Sequence, residues 1–207
     1  MRNLLSPDGS VTGFLTLAAD LMILNLLWVL CSLPLVTIGA STAALYYASF
    51  KRLRHEGNNA ENFFRAFRDN LKQATVLWLL IALAAAGLAL DFVLLLGLVF
   101  PGKTVVVLLL AVISLLFLLT AAFVFPLQAR FQNSLRGTLT SALYFSLRYP
   151  GKALLLCLPM ALYTLLLFTE TNLFLRLGAF LLLLGASLPI YLCTRLVSKL
   201  FEEYLSK

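Results

Sequence analysis

The chain reads as an all-α, polytopic helical membrane protein, and three observations lead there. Apolar residues make up 61% and charged residues 12% of its 207 positions, with a mean hydropathy of +0.96, whereas soluble domains are about 45–50% apolar. Apolar runs near the ~20 residues needed to cross hydrocarbon recur along the chain. Lys and Arg collect in alternate gaps between those runs. A soluble domain of this size could not cover so much apolar surface, so lipid must solvate part of it.

Taken in order, Phe14–Leu33 is the first run, ending at Pro34. Arg2 and Asp8 precede it and no small-residue cleavage site follows, so it reads as a retained membrane helix and not a removed signal. Leu35–Phe50 is shorter and rich in small residues: Gly39, Ala40, Ser41, Ala43 and Ala44. Thr75–Phe100 and Thr104–Phe125 are long and flank a tight turn at Pro101-Gly102-Lys103, and Pro126 ends the second. Ala153–Thr169 and Leu173–Val197 follow, separated by Glu170-Thr171-Asn172.

The number of crossings turns on Leu35–Phe50. Its 16 residues extend only about 24 Å as a helix. If it crosses there are six membrane helices; if it re-enters or lies in the interface there are five. Crossing is favoured, because Lys51, Arg52 and Arg54 could snorkel from its end to the headgroups.

Net charge is +7, but the basic residues form no stripe with interleaved polar contacts, which argues against a nucleic-acid partner. Six of the sixteen lie in Lys51–Lys72 and four in Gln128–Lys152, and Arg195, Lys199 and Lys207 stand toward the C-terminus. All three basic segments fall on one side of the alternation, and the positive-inside rule places that side in the cytoplasm. The expected location is a membrane crossed several times, with the C-terminus on the cytoplasmic side and, for six helices, the N-terminus there too.

A faint repeat recurs at an offset of 80 residues. Phe63-Phe64-Arg65-Ala66-Phe67-Arg68 precedes Lys72 and a span, and Leu143-Tyr144-Phe145-Ser146-Leu147-Arg148 precedes Lys152 and another. Apolar residues at i, i+4 and i+8 (Phe63, Phe67, Leu71; Leu139, Leu143, Leu147) read as interfacial amphipathic elbow helices that turn into a span. The chain is thus expected to be one transmembrane domain over 1–207, with duplicated halves at 14–100 and 104–197 set against chance similarity between apolar segments.

Polar groups inside the runs are the candidate functional residues. Asp20 and Asn25 in the first run, and Asp91 in the third, could form a polar floor for a substrate or proton. Alternatively, Asp20 lies near a membrane end, Asn25 bonds across a helix interface, and the outer part of the run that carries Asp91 sits above the hydrocarbon. His55 is the single histidine, in a polar turn, and has no ligand partners at metal spacing. Cys31, Cys157 and Cys193 are dispersed in apolar runs and read as small core residues. Trp28, Trp78, Tyr46, Tyr47, Tyr144, Tyr149, Phe63 and Phe64 could stack on sugars, but aromatics also mark membrane interfaces. No nucleophile–base pair, metal set, paired carboxylates or Walker-type phosphate loop can be assembled. The expectation is a protein without catalytic, metal or cofactor residues, and with substrate-binding residues unassigned.

Leu24-Asn25-Leu26-Leu27-Trp28-Val29-Leu30 and then Leu33-Pro34-Leu35-Val36-Thr37-Ile38-Gly39-Ala40-Ser41-Thr42-Ala43-Ala44-Leu45-Tyr46 resemble the signature of the YesL-type family of bacterial membrane proteins. Asn62–Ala74 is similar to that family's second block, and Phe125-Pro126-Leu127 with Arg148 to its third. The resemblance implies an accessory role in carbohydrate uptake or its regulation, beside carbohydrate ABC importer subunits, and supplies no catalytic residue. A small transporter or channel acting as a homo-oligomer is the alternative, in which Asp20, Asn25 and Asp91 would share a path.

Overall fold

The computed structural model describes residues 10–131, 133–168 and 184–205. All regular structure among them is helical: α1 (Ser10–Ser32), a 3₁₀ turn (Leu35–Thr37), α2 (Ile38–Leu53), α3 (Asn59–Gly97), α4 (Lys103–Arg130), α5 (Leu135–Arg148), α6 (Pro150–Phe168) and α7 (Ser187–Leu205). Among the described residues, three helices are long and apolar enough to cross a membrane: α1 over Thr12–Ser32, α3 and α4. The short α2 and the apolar Pro150–Pro159 part of α6 fall below that length.

The α1–α2 corner forms where Pro34 stops the first helix. Thr37 Oγ1 donates to the Cys31 and Pro34 carbonyls at 2.6 and 2.7 Å, satisfying groups that the bend strands. Trp78 Nε1 donates to Leu35 O at 3.0 Å and fastens the corner to α3. The corner is only half buried, since Leu33 and Leu35 remain exposed.

From the corner, α2 runs back against the first half of α3. Its small residues permit the approach: Gly39, Ala40, Ser41, Ala43 and Ala44 are all buried. A Cβ at Gly39 would overlap the Ala74 carbonyl and sit 2.5 Å from Trp78 Cβ. The first half of α3 is therefore held tightly, while the second half carries exposed Leu83, Leu90, Val93 and Leu94. At 1.5 Å per residue the 39-residue helix is about 58 Å long, roughly twice the hydrocarbon thickness.

Three expectations from the sequence are corrected. The elbow at Phe63–Lys72 is not a separate helix, because α3 runs unbroken from Asn59 to Gly97. Pro126 does not end α4, which continues to Arg130. A proline inside a helix loses one backbone bond, and here it is buried within the helix. The run Leu173–Val197 is interrupted by a turn at Gly185–Ala186 before α7 begins; its first part, Leu173–Leu183, lies outside the described residues, as do Glu170, Thr171 and Asn172. By contrast, the tight turn at Pro101–Lys103 is present, with Gly102 at φ +86°, a conformation that glycine adopts without strain.

The core gathers where α2, α4, α5 and α7 meet. Phe145 on α5 packs its ring 5.5 Å from Phe201 on α7 and 5.9 Å from Phe123 on α4, measured between centroids. Phe50 at the end of α2 stacks on the same Phe201 at 6.3 Å. Such pairs add about 0.5–1.5 kcal/mol each beyond area burial.

Candidate functional site

The most polar cavity described, about 640 Å³, opens where the start of α1, the end of α2 and the start of α7 converge. Thr16, Asp20, Arg52, His55, Asn58 and Tyr191 line it. Asp20 accepts from Arg52 Nε at 2.5 Å, with both side chains mostly shielded. This pairing offsets the cost of a carboxylate in an apolar helix and ties α1 to α2. The reading of Asp20 as near a membrane end fits its partner's place in the last turn of α2.

Of the three cations expected to snorkel, two are engaged. Arg52 holds Asp20, and Lys51 bonds Glu56 at 2.5 Å. The Lys51 bond lowers the Glu56 carboxyl from its ordinary value. Arg54 is exposed.

His55 owes its place to backbone geometry. It has φ +55°, and its N–H donates to Arg52 O at 3.1 Å while Glu56 N–H donates to Lys51 O at 3.0 Å. These are the paired bonds of a Schellman cap, with His55 at the left-handed position that usually holds glycine or asparagine. Asn58 then caps α3: its Oδ1 accepts from Ala60 and Glu61 N–H at 2.9 and 3.3 Å. Asn62 Nδ2 donates to Glu56 O at 2.9 Å and closes the turn. The polar turn is an ordered corner whose residues His55–Asn58 remain exposed.

Asn25 lies elsewhere, buried to 1% exposure. Its Oδ1 accepts from the Ala186 and Ser187 N–H groups at 2.8 and 3.0 Å. A side chain on α1 thus caps the start of α7 from across the bundle, a tertiary bond of the kind expected for a helix interface. Asp91 is exposed on the second half of α3. It sits 17 residues beyond Ala74, about 26 Å along the axis, whereas Asp20 pairs with the end of α2 opposite to the one that touches Ala74. Asp20, Asn25 and Asp91 are therefore not brought together within one subunit.

The aromatic candidates divide similarly. Trp28 Nε1 donates to Thr42 Oγ1 at 3.2 Å, Phe63 and Tyr46 are buried, and Tyr149 has the Lys152 ammonium 5.2 Å from its ring centre. Tyr144 is half-exposed and forms, with Phe131, Phe145 and Tyr204, one wall of a 420 Å³ cleft. Phe64 is exposed on α3. The three cysteines are free and separate, and the described residues hold no cluster of metal-ligating side chains.

Sequence reasoning missed a buried polar chain at the basic end. Gln128 on α4 donates through Nε2 to Asn70 Oδ1 on α3 at 2.9 Å and accepts through Oε1 from Thr138 Oγ1 on α5 at 3.1 Å. Gln73 adds a 2.6 Å bond to Asn133 O. The available signal was a glutamine two residues after Pro126 closes the apolar run, since a buried amide needs partners on both sides.

Compared with known proteins, residues 21–92 match the model of a family described as "Protein of unknown function, DUF624". No curated protein and no solved structure matches the chain. The matched stretch runs from within α1, through the corner and α2, into the second half of α3. It contains the capping Asn25, the close contact at Gly39 and the Asn58 cap, and it begins one residue after Asp20. It takes in the first two blocks that resemble the YesL-type family and leaves the third outside.

Proposed function

We propose that this chain is a non-enzymatic accessory membrane protein that docks laterally on a larger membrane partner, with carbohydrate uptake or its regulation as the context that the family resemblance supplies. One observation carries the docking. The second half of α3 and the first half of α4 form an apolar hairpin whose described surroundings leave it almost wholly exposed, and Asp91 is exposed upon it. Lipid suits the leucines and valines. It suits a carboxylate less, although the cost reaches about 2.5–3.5 kcal/mol only at mid-bilayer and Asp91 stands about 26 Å beyond Ala74, toward the outer edge. Among the described residues no ion pair involves Asp91, and a cation on a partner helix would relieve that cost.

In this reading the basic end, with Arg54, Arg148 and Lys152, faces the cytoplasm and the α3–α4 turn faces out. Labelling with an impermeant thiol reagent, on a background lacking the native cysteines, should reach a cysteine at Val99 and miss one at Tyr204.

The deciding test is purification from native membranes in mild detergent, followed by mass spectrometry of co-purifying proteins. A stable importer permease, lost with Asp91→Asn, is the expected result. A lone oligomer that moves solute in liposomes would overturn it in favour of a transporter.

A further inference from the structure

A second groove, about 730 Å³, lies between the end of α2, α6 and α7. Its chemistry is graded along its length. Leu155, Leu158 and Pro159 on α6 face Leu192 and Leu196 on α7 and give an apolar trough, in which all four leucines are exposed. Arg54, Arg195 and Lys199 stand along the rest, with Glu202 as the one acid.

The direction of the gradient follows from the packing. Lys152 pairs with Glu203, so the start of α6 lies beside the end of α7 and the two helices are antiparallel. The Phe50–Phe201 stack sets the end of α2 at that same level. Arg54 and Lys199 therefore share the end near Glu202, whereas Leu158, Pro159 and Leu192 lie at the other. Among the described residues Arg54, Arg195 and Lys199 form no ion pair. Arg130 is held nearby, 5.9 Å from the centre of the Phe50 ring.

We infer that this groove binds one anionic phospholipid, its phosphate among Arg54, Arg195 and Lys199 and an acyl chain along Leu155, Leu158, Leu192 and Leu196. The charge selects the ligand. Three cations against one carboxylate leave an excess that a zwitterionic headgroup does not match and an anionic one does. The trough selects a lipid over a soluble phosphate, because four exposed leucines have nothing to gain from a headgroup alone. On one face of α7 the lining runs from Leu192 through Arg195 and Leu196 to Lys199, so a single helix presents both halves of the ligand's chemistry. The site rests on the membrane character of the chain and is independent of any protein partner.

The test uses full-length protein, delipidated in a neutral detergent, with binding followed by the rise in thermal unfolding midpoint. Phosphatidylglycerol should stabilise the protein and phosphatidylcholine should do so much less. Arg195→Gln with Lys199→Gln should weaken phosphatidylglycerol binding about twenty-fivefold, at roughly fivefold per cation, and Arg136→Gln on the exposed face of α5 should change nothing. Equal stabilisation by the two lipids, or a double variant that keeps the preference, would overturn the site. Glycerol phosphate matching phosphatidylglycerol would overturn the lipid in favour of a soluble anion. Should the double variant not fold, a photoreactive phosphatidylglycerol on the unaltered protein decides. Label on peptides covering 155–158 and 192–199 supports the site, and label confined to other helices refutes it.

Discussion

Two amphipathic segments lead into apolar helices, one at Asn59–Gly97 and one at Leu135–Phe168, and they solve the junction differently. In the first, helix α3 passes straight through. In the second, α5 ends at Arg148 and α6 starts afresh at Pro150, with Tyr149 between them at φ −132° and ψ 57°. At the 80-residue offset, Asp69-Asn70 stands where Tyr149-Pro150 stands. Proline has no N–H and drives the residue before it out of helical geometry, yet it fits the first turn of a new helix. Asparagine at the same place keeps its N–H in the helix and lends its side chain to Gln128. A similar sequence pattern thus gives one continuous helix in the first segment and a break between two helices in the second, and Gln128 bonds both.

The sharpest way to break the comparison is to give the first unit the second unit's junction. Asn70→Pro removes a backbone bond, kinks α3 and leaves Gln128 short of a partner, for a loss of about 3 kcal/mol or more. The expected result is a large fall in the unfolding midpoint in detergent, and an unchanged midpoint would mean that the straight helix is not what holds the bundle. Gly39→Val tests what keeps α3 pressed to α2. The new side chain meets backbone at Ala74, so overpacking of about 1–3 kcal/mol is expected, visible as lost assembly. The residue equivalent to Ala74 in the second unit is Leu154, which is half-exposed, and Leu154→Ala should be mild by the same assay.

Gln128→Leu severs the bonds to both units while preserving bulk. Asn70 and Thr138 lose a partner, and a cost of about 1–3 kcal/mol is expected. If the two segments are coupled through this side chain, the effects of Asn70→Ala and Thr138→Val, which touch Gln128 from opposite sides, should depart from additivity in a double-mutant cycle; simple addition would separate them. The smallest change has the opposite sign. His55→Gly relaxes the left-handed residue of the turn that launches α3 and should stabilise by about 0.5–1 kcal/mol. A loss instead would give the imidazole a role in the polar cavity that the cap geometry does not require.

Much of this is legible in the residues. Pro34, Thr37 and Gly39 mark a bend, its local hydrogen-bonding group and a close helix contact, because each acts over a few neighbouring positions. The amphipathic faces of Phe63–Lys72 and Leu139–Leu147 are readable from spacing, and Phe63 and Phe67 do turn toward the core. The elbow at Phe63–Lys72 fails because apolar spacing is common to both segments, while the proline that breaks the helix, Pro150, belongs to the second alone. Asn25 shows as a helix-interface residue, but the N–H groups it accepts from, at Ala186 and Ser187, are more than 160 positions away and no local pattern names them.

Composition and period settle that the chain is helical, that at least three segments suit a bilayer, and that most of the basic charge lies on one side of the alternation. These properties act along the chain and need no knowledge of how it packs. Which polar groups meet is a matter of the assembled bundle. Asp20 with Arg52, Gln128 between Asn70 and Thr138, and the cations of α2 and α7 around one apolar trough depend on helices crossing at particular levels. Those levels are set by side-chain packing between segments distant in sequence, where a shift of one helical turn would exchange every partner.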